Sequence, residues 1–387
     1  MNKQLKEDIL SLIDQYQKLD RFNGCIIIGN LESHNVWSYE SGNGQLNKNI
    51  PIASLSKIIT AFILNKTLSE KGLESNALVR DLLDVDFKDK QLRFNQFLSC
   101  KILEQNNIQS PVFSLSSYLE NSKNSIHQEY SNENYYVLSL MLEEILQSPY
   151  ENILEANFPN KTIRCIAPDE QFDGFEIADG ETKKEIKFCN NSPIKGDGAI
   201  TIKPIELSQI IQSIFLSYLK SFSPSLFERK SEFQDGLFLD GETFYMTGLL
   251  GPFQSSLFFS PFEKYFVLCF SSYEIDLVYN ITKNVFHLAN ENQSDDYRLK
   301  KAYEPFTNCT TLGTYYSKSL NKKLFFVKKK EHIYAQLENQ EQYKMYTYCN
   351  QHTAFLLKRN VLFYFSNDFS KVSFFQNNKT FKAERIS

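Results

Sequence analysis

The spacing of apolar residues changes period several times along the chain, and each change marks an element. The first twenty residues, MNKQLKEDILSLIDQYQKLD, place apolar side chains three and four apart and predict an amphipathic helix. Gly24–Gly29 and Asn35–Tyr39 then read as two short strands joined by the polar turn Asn30–His34, a hairpin pattern. Helical spacing returns over Ala53–Lys71, where Ile58, Ile59, Phe62, Ile63 and Leu68 form a stripe wide enough to require burial, with Gly72 as the stop. Leu78–Leu103 reads as short helices and turns, and Asn106–Ser125 as a polar loop with a short helix around Val112–Leu119. A second helix is predicted over Tyr135–Leu146, with Asn132 as its cap. Asn160–Asn191 has weak periodicity, and Ile166–Asn191 within it reads as a loop. The glycine-bearing turn Pro193–Gly198 precedes a helix over Pro204–Leu219. Strands follow at Thr243–Leu250, Ser255–Phe259 and Tyr265–Ser271, the last two joined by the turn Ser260–Glu263, and then a helix at Ile275–Ala289.

Beyond the polar window Asn290–Leu299, which reads as a linker, the helical period disappears. Short strands such as Lys323–Val327, Ile333–Leu337, Tyr343–Tyr348, Ala354–Leu357, Val361–Phe365 and Val372–Phe375 alternate with Asn-, Lys- and Ser-rich turns. Regular short strands without helices predict a small antiparallel barrel or sandwich. At about 150 residues per domain, 387 residues suit two domains, expected at 1–295 and 300–387.

Composition removes whole classes of function. A hydrophobic content of 42%, with 33 Phe and 21 Tyr, excludes a disordered chain, and no apolar run reaches the length needed to cross a bilayer. The net charge of −4, with both signs interspersed, points to neither nucleic acid nor a membrane surface as partner. Lys328–Lys330 reads as a solvated turn. The first segment lacks the uninterrupted apolar stretch of a signal peptide, and the seven dispersed cysteines, odd in number and without a C-x-x-C pair, suit a reducing compartment. A cytoplasmic location is expected. None of the five histidines pairs with another at ligand spacing, so neither a metal nor a cofactor is expected.

Three polar clusters carry candidate chemistry. Ser54-x-x-Lys57 opens the Ala53–Lys71 helix, and positions i and i+3 share a helix face, so an amine lies beside a hydroxyl. A serine attacks only when a base takes its proton, and a lysine serves as that base when desolvation holds it partly neutral. Tyr130-x-Asn132 lies on the loop entering the second helix, and Met246-Thr247-Gly248 lies within a strand. A phenol can relay a leaving-group proton, and a carboxamide can orient both the lysine and a substrate amide. The neighbouring Glu129 and Glu133 read as helix-entry charges and His127 as a surface residue.

In order and context these clusters resemble the serine beta-lactamase and penicillin-binding protein superfamily, in particular its class C beta-lactamase, esterase and D-aminopeptidase branch. The resemblance covers residues from about 20 to 290 and also includes Phe22-Asn-Gly24 and the Gly196-Asp-Gly-Ala-Ile-Thr201 turn. It implies an α+β fold: an antiparallel sheet flanked by helices, with an all-helical subdomain. The C-terminal run, opened by Leu312-Gly-Thr-Tyr315, is similar to the small lipocalin-like β-barrel of some members. The implied roles are Ser54 as nucleophile, Lys57 and Tyr130 as proton carriers, and Asn132, Met246, Thr247, Gly248 and Leu249 as substrate contacts. The amides of Ser54 and Leu249 would form the oxyanion hole. One departure stands out, because the third cluster of the family normally begins with Lys or His, whose cation helps bind a substrate carboxylate, and here that position is Met246.

The expected function is a serine hydrolase forming an acyl-enzyme with an ester, an amide or a D-amino-acid-containing peptide, its partner a small molecule or peptide. Two alternatives remain. One is an acyltransferase or thioesterase that releases or cyclises a peptide bound to a carrier protein. The other, suggested by Met246, is a binding protein that keeps the fold without catalysis.

Overall fold

The computed structural model describes residues 3–18, 22–32, 35–42, 45–84, 89, 91–104, 115, 118–119, 122–124, 130–178, 182–189, 195–221, 232–273, 278–289, 305–347, 350–356, 361–376 and 379–387. Its helices are α1 (Lys3–Lys18), α2 (Ser56–Glu70), α3 (Phe94–Leu98), α4 (Asn132–Leu146), α5 (Tyr150–Asn157), α6 (Pro204–Ser221) and α7 (Val278–Ala289). The strands up to the last helix are β1 (Gly24–Asn30), β2 (Val36–Ser41), β3 (Ile50–Pro51), β4 (Ile102–Glu104), β5 (Ser122–Asn124), β6 (Arg164–Cys165), β7 (Gln171–Ala178), β8 (Thr182–Cys189), β9 (Ile200–Ile202), β10 (Phe233–Gln234), β11 (Leu237–Asp240), β12 (Thr243–Leu250), β13 (Phe253–Ser260) and β14 (Tyr265–Ser271). No helix among the described residues is long and apolar enough to cross a membrane.

The chain divides into two compact units: Asn23–Phe172 with Phe188–Ser271, and Met1–Phe22 with Asp173–Lys187 and Ser272–Ser387. The first of these is built on an antiparallel sheet of seven strands in the order β10-β11-β12-β13-β14-β1-β2. Strands β13 and β14 are buried along their whole length, so their sequences run apolar instead of alternating. One sheet face, through Leu257, Phe259 and Leu268, joins a single core with Ile58, Ile59 and Ile63 of α2 and Phe215 of α6. Phe215 stacks on Phe259 with ring centroids 3.7 Å apart. The helices α3, α4 and α5 extend the same core through Phe94, Tyr135 and Leu154. In the second unit α1 and α7 contact one another.

The second unit also holds eight strands that close into an antiparallel barrel: β15 (Gly313–Ser317), β16 (Lys322–Lys329), β17 (His332–Leu337), β18 (Gln342–Thr347), β19 (Thr353–Leu356), β20 (Val361–Phe365), β21 (Lys371–Gln376) and β22 (Lys379–Arg385). Of the barrel and the sandwich that its short strands left open, the barrel is the outcome. Its interior is filled by side chains, with Phe326 against Phe363 and Phe365 at 5.5 and 5.1 Å, and Tyr315 donating its hydroxyl to the Phe369 carbonyl at 2.7 Å. The fold is therefore the α+β arrangement of a helix-flanked antiparallel sheet followed by a small β-barrel.

Several local expectations are corrected. Asn160–Asn191, where weak periodicity suggests a loop over Ile166–Asn191, contains the β7–β8 hairpin; its apolar residues are two apart at Phe175 and Ile177 and at Ile186 and Phe188, while Phe172 is out of step. The short strands β10 and β11 were also unexpected. They are joined by the two-residue turn Asp235-Gly236, with φ of +54° and +78°, the conformation that an Asp-Gly pair favours in tight hairpins. The cap of α4 is Ser131, whose Oγ accepts the Asn134 N–H at 3.2 Å, and Asn132 is the first helical residue. The linker Asn290–Leu299, Glu129, His127 and most of the Asn106–Ser125 loop lie outside the described residues.

Candidate active site

Ser54 lies in a single 3-10 turn, Ala53–Leu55, that feeds directly into α2. The residue before it, Ala53, has φ of +49°, a left-handed conformation unusual for a residue with a side chain and costing roughly 1–3 kcal/mol. Such strain persists only where the surroundings enforce it. Gly248 of β12 packs directly on this turn, since a Cβ there would meet the Ile52 carbonyl oxygen at 2.8 Å and the Ala53 methyl at 2.9 Å. Ser255 of β13 donates its hydroxyl to the same Ile52 carbonyl at 2.7 Å.

The two serines of Ser54-Leu-Ser-Lys57 are separated by this geometry. Ser56 is fully buried and its Oγ accepts the Ile200 N–H at 3.3 Å. Ser54 is half-buried, and its Oγ receives hydrogen bonds from the Tyr130 hydroxyl at 2.8 Å and Lys57 Nζ at 3.2 Å. The other two Nζ bonds of Lys57 go to Asn132 Oδ1 at 2.7 Å and the Asp197 main-chain carbonyl at 2.5 Å, so its three donors are all used. Asn132 reaches Lys57 because Ser131 has taken over the capping of α4.

Lys57 has no exposed surface, and its ammonium lies 5.0 Å from the centre of the Tyr130 ring and 5.8 Å from that of Tyr135. Burial pulls its pKa down to about 8, against the opposing pull of the Asp197 carboxylate. The same desolvation pushes the Tyr130 phenol well above its ordinary value, so that it stays protonated as a donor. The side chain of Tyr130 is 39% exposed, packed edge-on against Phe233 at 5.4 Å and stacked on Phe238 at 5.8 Å.

Those two rings belong to the β10–β11 hairpin, which the sequence reading missed although the Asp-Gly pair between apolar residues signals it. The hairpin is pinned in place. Gly236 lies so close to α2 that a Cβ would meet the Ile58 nitrogen at 2.5 Å, and its N–H donates to the Tyr135 hydroxyl at 2.7 Å. Asp235 accepts from Asn65 of α2 at 3.2 Å.

Because β11 pairs only with Thr243–Tyr245, β12 continues past it to Leu250. Hydrogen bonds alternate along an antiparallel ladder, so with Leu250 and Phe253 closing the turn, the Leu249 N–H points away from β13 toward the edge beyond β11. Leu249 is 53% exposed, and Thr247 is half-buried. Met246 alternates onto the face of Gly248 and is 1% exposed within the main core, so the first position of the third cluster holds a packed thioether. Among the described residues no group of three His, Cys, Asp or Glu side chains could hold a metal ion.

No family model and no curated protein matches the chain, but solved structures match its fold. An octameric penicillin-binding protein homologue from Pyrococcus abyssi is 14% identical, covers 97% of this chain and 99% of its own, and gives a TM-score of 0.60. The chain has the fold of the penicillin-binding proteins and serine beta-lactamases. A beta-lactamase/D-alanine carboxypeptidase from Pseudomonas syringae, 11% identical, covers 75% of this chain and 99% of its own at a TM-score of 0.55. The protein SurE, also 11% identical, covers 99% of both chains at 0.57, and a SurE structure with D-Leu gives 0.52. This is the fold implied by the order of the three clusters.

Proposed function

We propose that the protein is a serine hydrolase of the beta-lactamase-like fold, acting through a covalent acyl-enzyme on an ester, an amide or a D-amino-acid-containing peptide. One observation carries this reading: Ser54 Oγ lies within hydrogen-bond reach of both a desolvated lysine and a protonated tyrosine. In acylation, neutral Lys57 takes the Ser54 proton as Oγ bonds to the carbonyl carbon. The N–H groups of Ser54 and Leu249 hold the oxyanion. As the tetrahedral adduct collapses, Tyr130 gives its proton to the leaving oxygen or nitrogen and is reprotonated from Lys57. Deacylation reverses these transfers, with water adding to the ester and the acid leaving.

Only neutral Lys57 can start this sequence, so acylation should rise with pH through about 8 and then level off. Buried Met246 supports a substrate that is neutral where the family binds a carboxylate. The D-Leu in a SurE structure supports a D-configured residue in the substrate. D-Leu also carries an amine, which favours a second reading in which an amine replaces water and the protein is an acyltransferase or thioesterase supplied by a carrier protein. A non-catalytic binding role rests on Met246 alone, and the contacts of Ser54 with Lys57 and Tyr130 weigh against it. The dispersed cysteines, odd in number and without a C-x-x-C pair, support a cytoplasmic setting.

The test is covalent labelling. Incubation with a penicillin-type probe should add the full probe mass to the intact protein at Ser54, and a fluorophosphonate its mass less HF, with no addition to Ser54→Ala. An unlabelled wild-type protein with every probe class would sink the enzyme reading.

A further inference from the structure

Asp197 is a buried carboxylate that takes no part in the proton transfers of acylation. Asp197 lies on the turn Lys195–Gly198 ahead of β9, and it is 4% exposed. Its main-chain carbonyl takes one Nζ bond of Lys57, and its side-chain Oδ1 closes the turn by accepting the Lys195 N–H at 3.0 Å. The turn is clamped from beneath, where Thr60 of α2 donates its hydroxyl to the Gly196 carbonyl at 2.6 Å and lies 2.7 Å from the Tyr150 hydroxyl. A Cβ on Gly196 would meet Thr60 Oγ1 at 2.6 Å, so the turn has no room to slide.

A carboxylate buried this far needs a facing cation. Lys195 does not provide it, because its Nζ is held by both oxygens of Glu143 at 2.7 and 2.8 Å. Burial raises the Asp197 pKa, and the charge that opposes this rise is the Lys57 ammonium, which is hydrogen-bonded to the main-chain carbonyl of the same residue. The other groups around Lys57 are poorly suited to the same role. Cys100, beyond α3, is kept as a neutral thiol, its pKa pushed up to about 12 by burial. Glu133, on the first turn of α4, is exposed and accepts the Ser131 hydroxyl at 2.7 Å. Tyr130 and Tyr135 offer ring faces and protonated phenols.

We propose that the Asp197 carboxylate is a positioning residue that acts through Lys57, setting the pH at which Lys57 sheds the proton it must lose before it can take that of Ser54. This rests on the reading of Ser54 and Lys57 as the acyl-transfer pair. Burial and Asp197 work in opposite directions on the same amine. Burial drives Lys57 toward the neutral base that attack requires, and Asp197 stabilises the ammonium that forms once the serine proton arrives. The balance keeps the amine able to accept a proton and then give it up to Tyr130 within one catalytic cycle.

The experiment compares wild type, Asp197→Asn and Glu143→Gln. Asparagine keeps the size and the acceptor for the Lys195 N–H while removing the charge. Glutamine breaks the Lys195 ion pair and loosens the same turn while leaving the Asp197 carboxylate in place. The Lys57 amine is titrated by NMR in lysine-labelled protein, its signal assigned by loss in Lys57→Arg. The fluorophosphonate labelling rate of Ser54 is measured over the same pH range. In Asp197→Asn the Lys57 midpoint and the acid limb of labelling should both fall by about one pH unit or more, and in Glu143→Gln they should stay in place. An unmoved midpoint in Asp197→Asn overturns the proposal, as does an equal shift in Glu143→Gln, which would trace the effect to turn geometry. The Lys57 titration does not depend on turnover. A shifted midpoint in a protein that no probe labels would retain the electrostatic link and remove the catalytic reading, whereas labelling with an unmoved midpoint would do the reverse.

Discussion

In the seven-stranded sheet β12 outruns its neighbour β11, so that its last residues, Met246 to Leu250, border the turn carrying Ser54 instead of another strand. In the eight-stranded barrel each strand has two partners, including β15, which pairs with β22 to close the ring. The two regions are both antiparallel sheets of mixed aromatic and aliphatic residues, and they differ in what is done with the edge. An unpaired row of N–H and C=O groups is a liability on an ordinary surface and a binding surface where a substrate can lie against it. Beside Ser54 that edge is kept. In the barrel it is eliminated, and the interior holds Tyr315, Phe326 and Phe363 in place of a ligand space. Candidate chemistry therefore concentrates on the open sheet, and the barrel is held together by packing.

The contrast breaks most sharply at the two serines. Ser54→Ala should abolish probe labelling and lower turnover by at least about 10⁴-fold, while Ser56→Ala, which removes only a buried hydrogen bond, should keep labelling and cost roughly 1 kcal/mol of stability in denaturant unfolding. Equal loss in both would show that Ser54 has no special place. Next in size, Lys57→Ala and Tyr130→Phe should each slow acylation by about 10²–10⁴-fold, and the double variant should be little worse than either, because they serve one proton path. Losses that multiply would argue for separate roles, as stopped-flow labelling rates can decide.

The barrel should respond to volume, not to charge. Phe326→Ala leaves a hole among Tyr315, Phe363 and Phe365 and should destabilise the barrel transition by about 3–5 kcal/mol in a urea titration of the full chain. A change below 1 kcal/mol would mean that the barrel is not packed as described. The smallest effect is the most specific. Met246→Lys should favour a substrate bearing a free carboxylate over its methyl ester by roughly tenfold in kcat/KM, since a well-placed charged hydrogen bond contributes about 1.5–3 kcal/mol. It should also lower stability, because Met246 is 1% exposed and a lysine there has to be desolvated. Identical changes for acid and ester would separate Met246 from charge preference.

Periodicity by itself determined the long elements. The stripe of Ile58, Ile59 and Ile63 requires a buried helix in any arrangement, and the runs Thr243–Leu250 and Tyr265–Ser271 coincide with β12 and β14. These are local patterns with strong hydrophobic demands, so little beyond the chain itself is needed to read them. The β10–β11 hairpin was harder to see because each strand is only two to four residues long, and β7–β8 because its alternation is incomplete, with Phe172 three residues from Phe175. The three polar clusters were visible as motifs, but their chemistry depends on distances across the chain. Asn132 reads equally well as a helix cap until Ser131 is seen to fill that role and Asn132 to face Lys57, 75 residues away. Asp197 had no signal of its own beyond a glycine-flanked turn. Only the tertiary structure buries it, commits Lys195 to Glu143 and brings its main-chain carbonyl onto the Lys57 amine, because burial and Coulomb interaction depend on what lies nearby in space and not on what is adjacent in sequence.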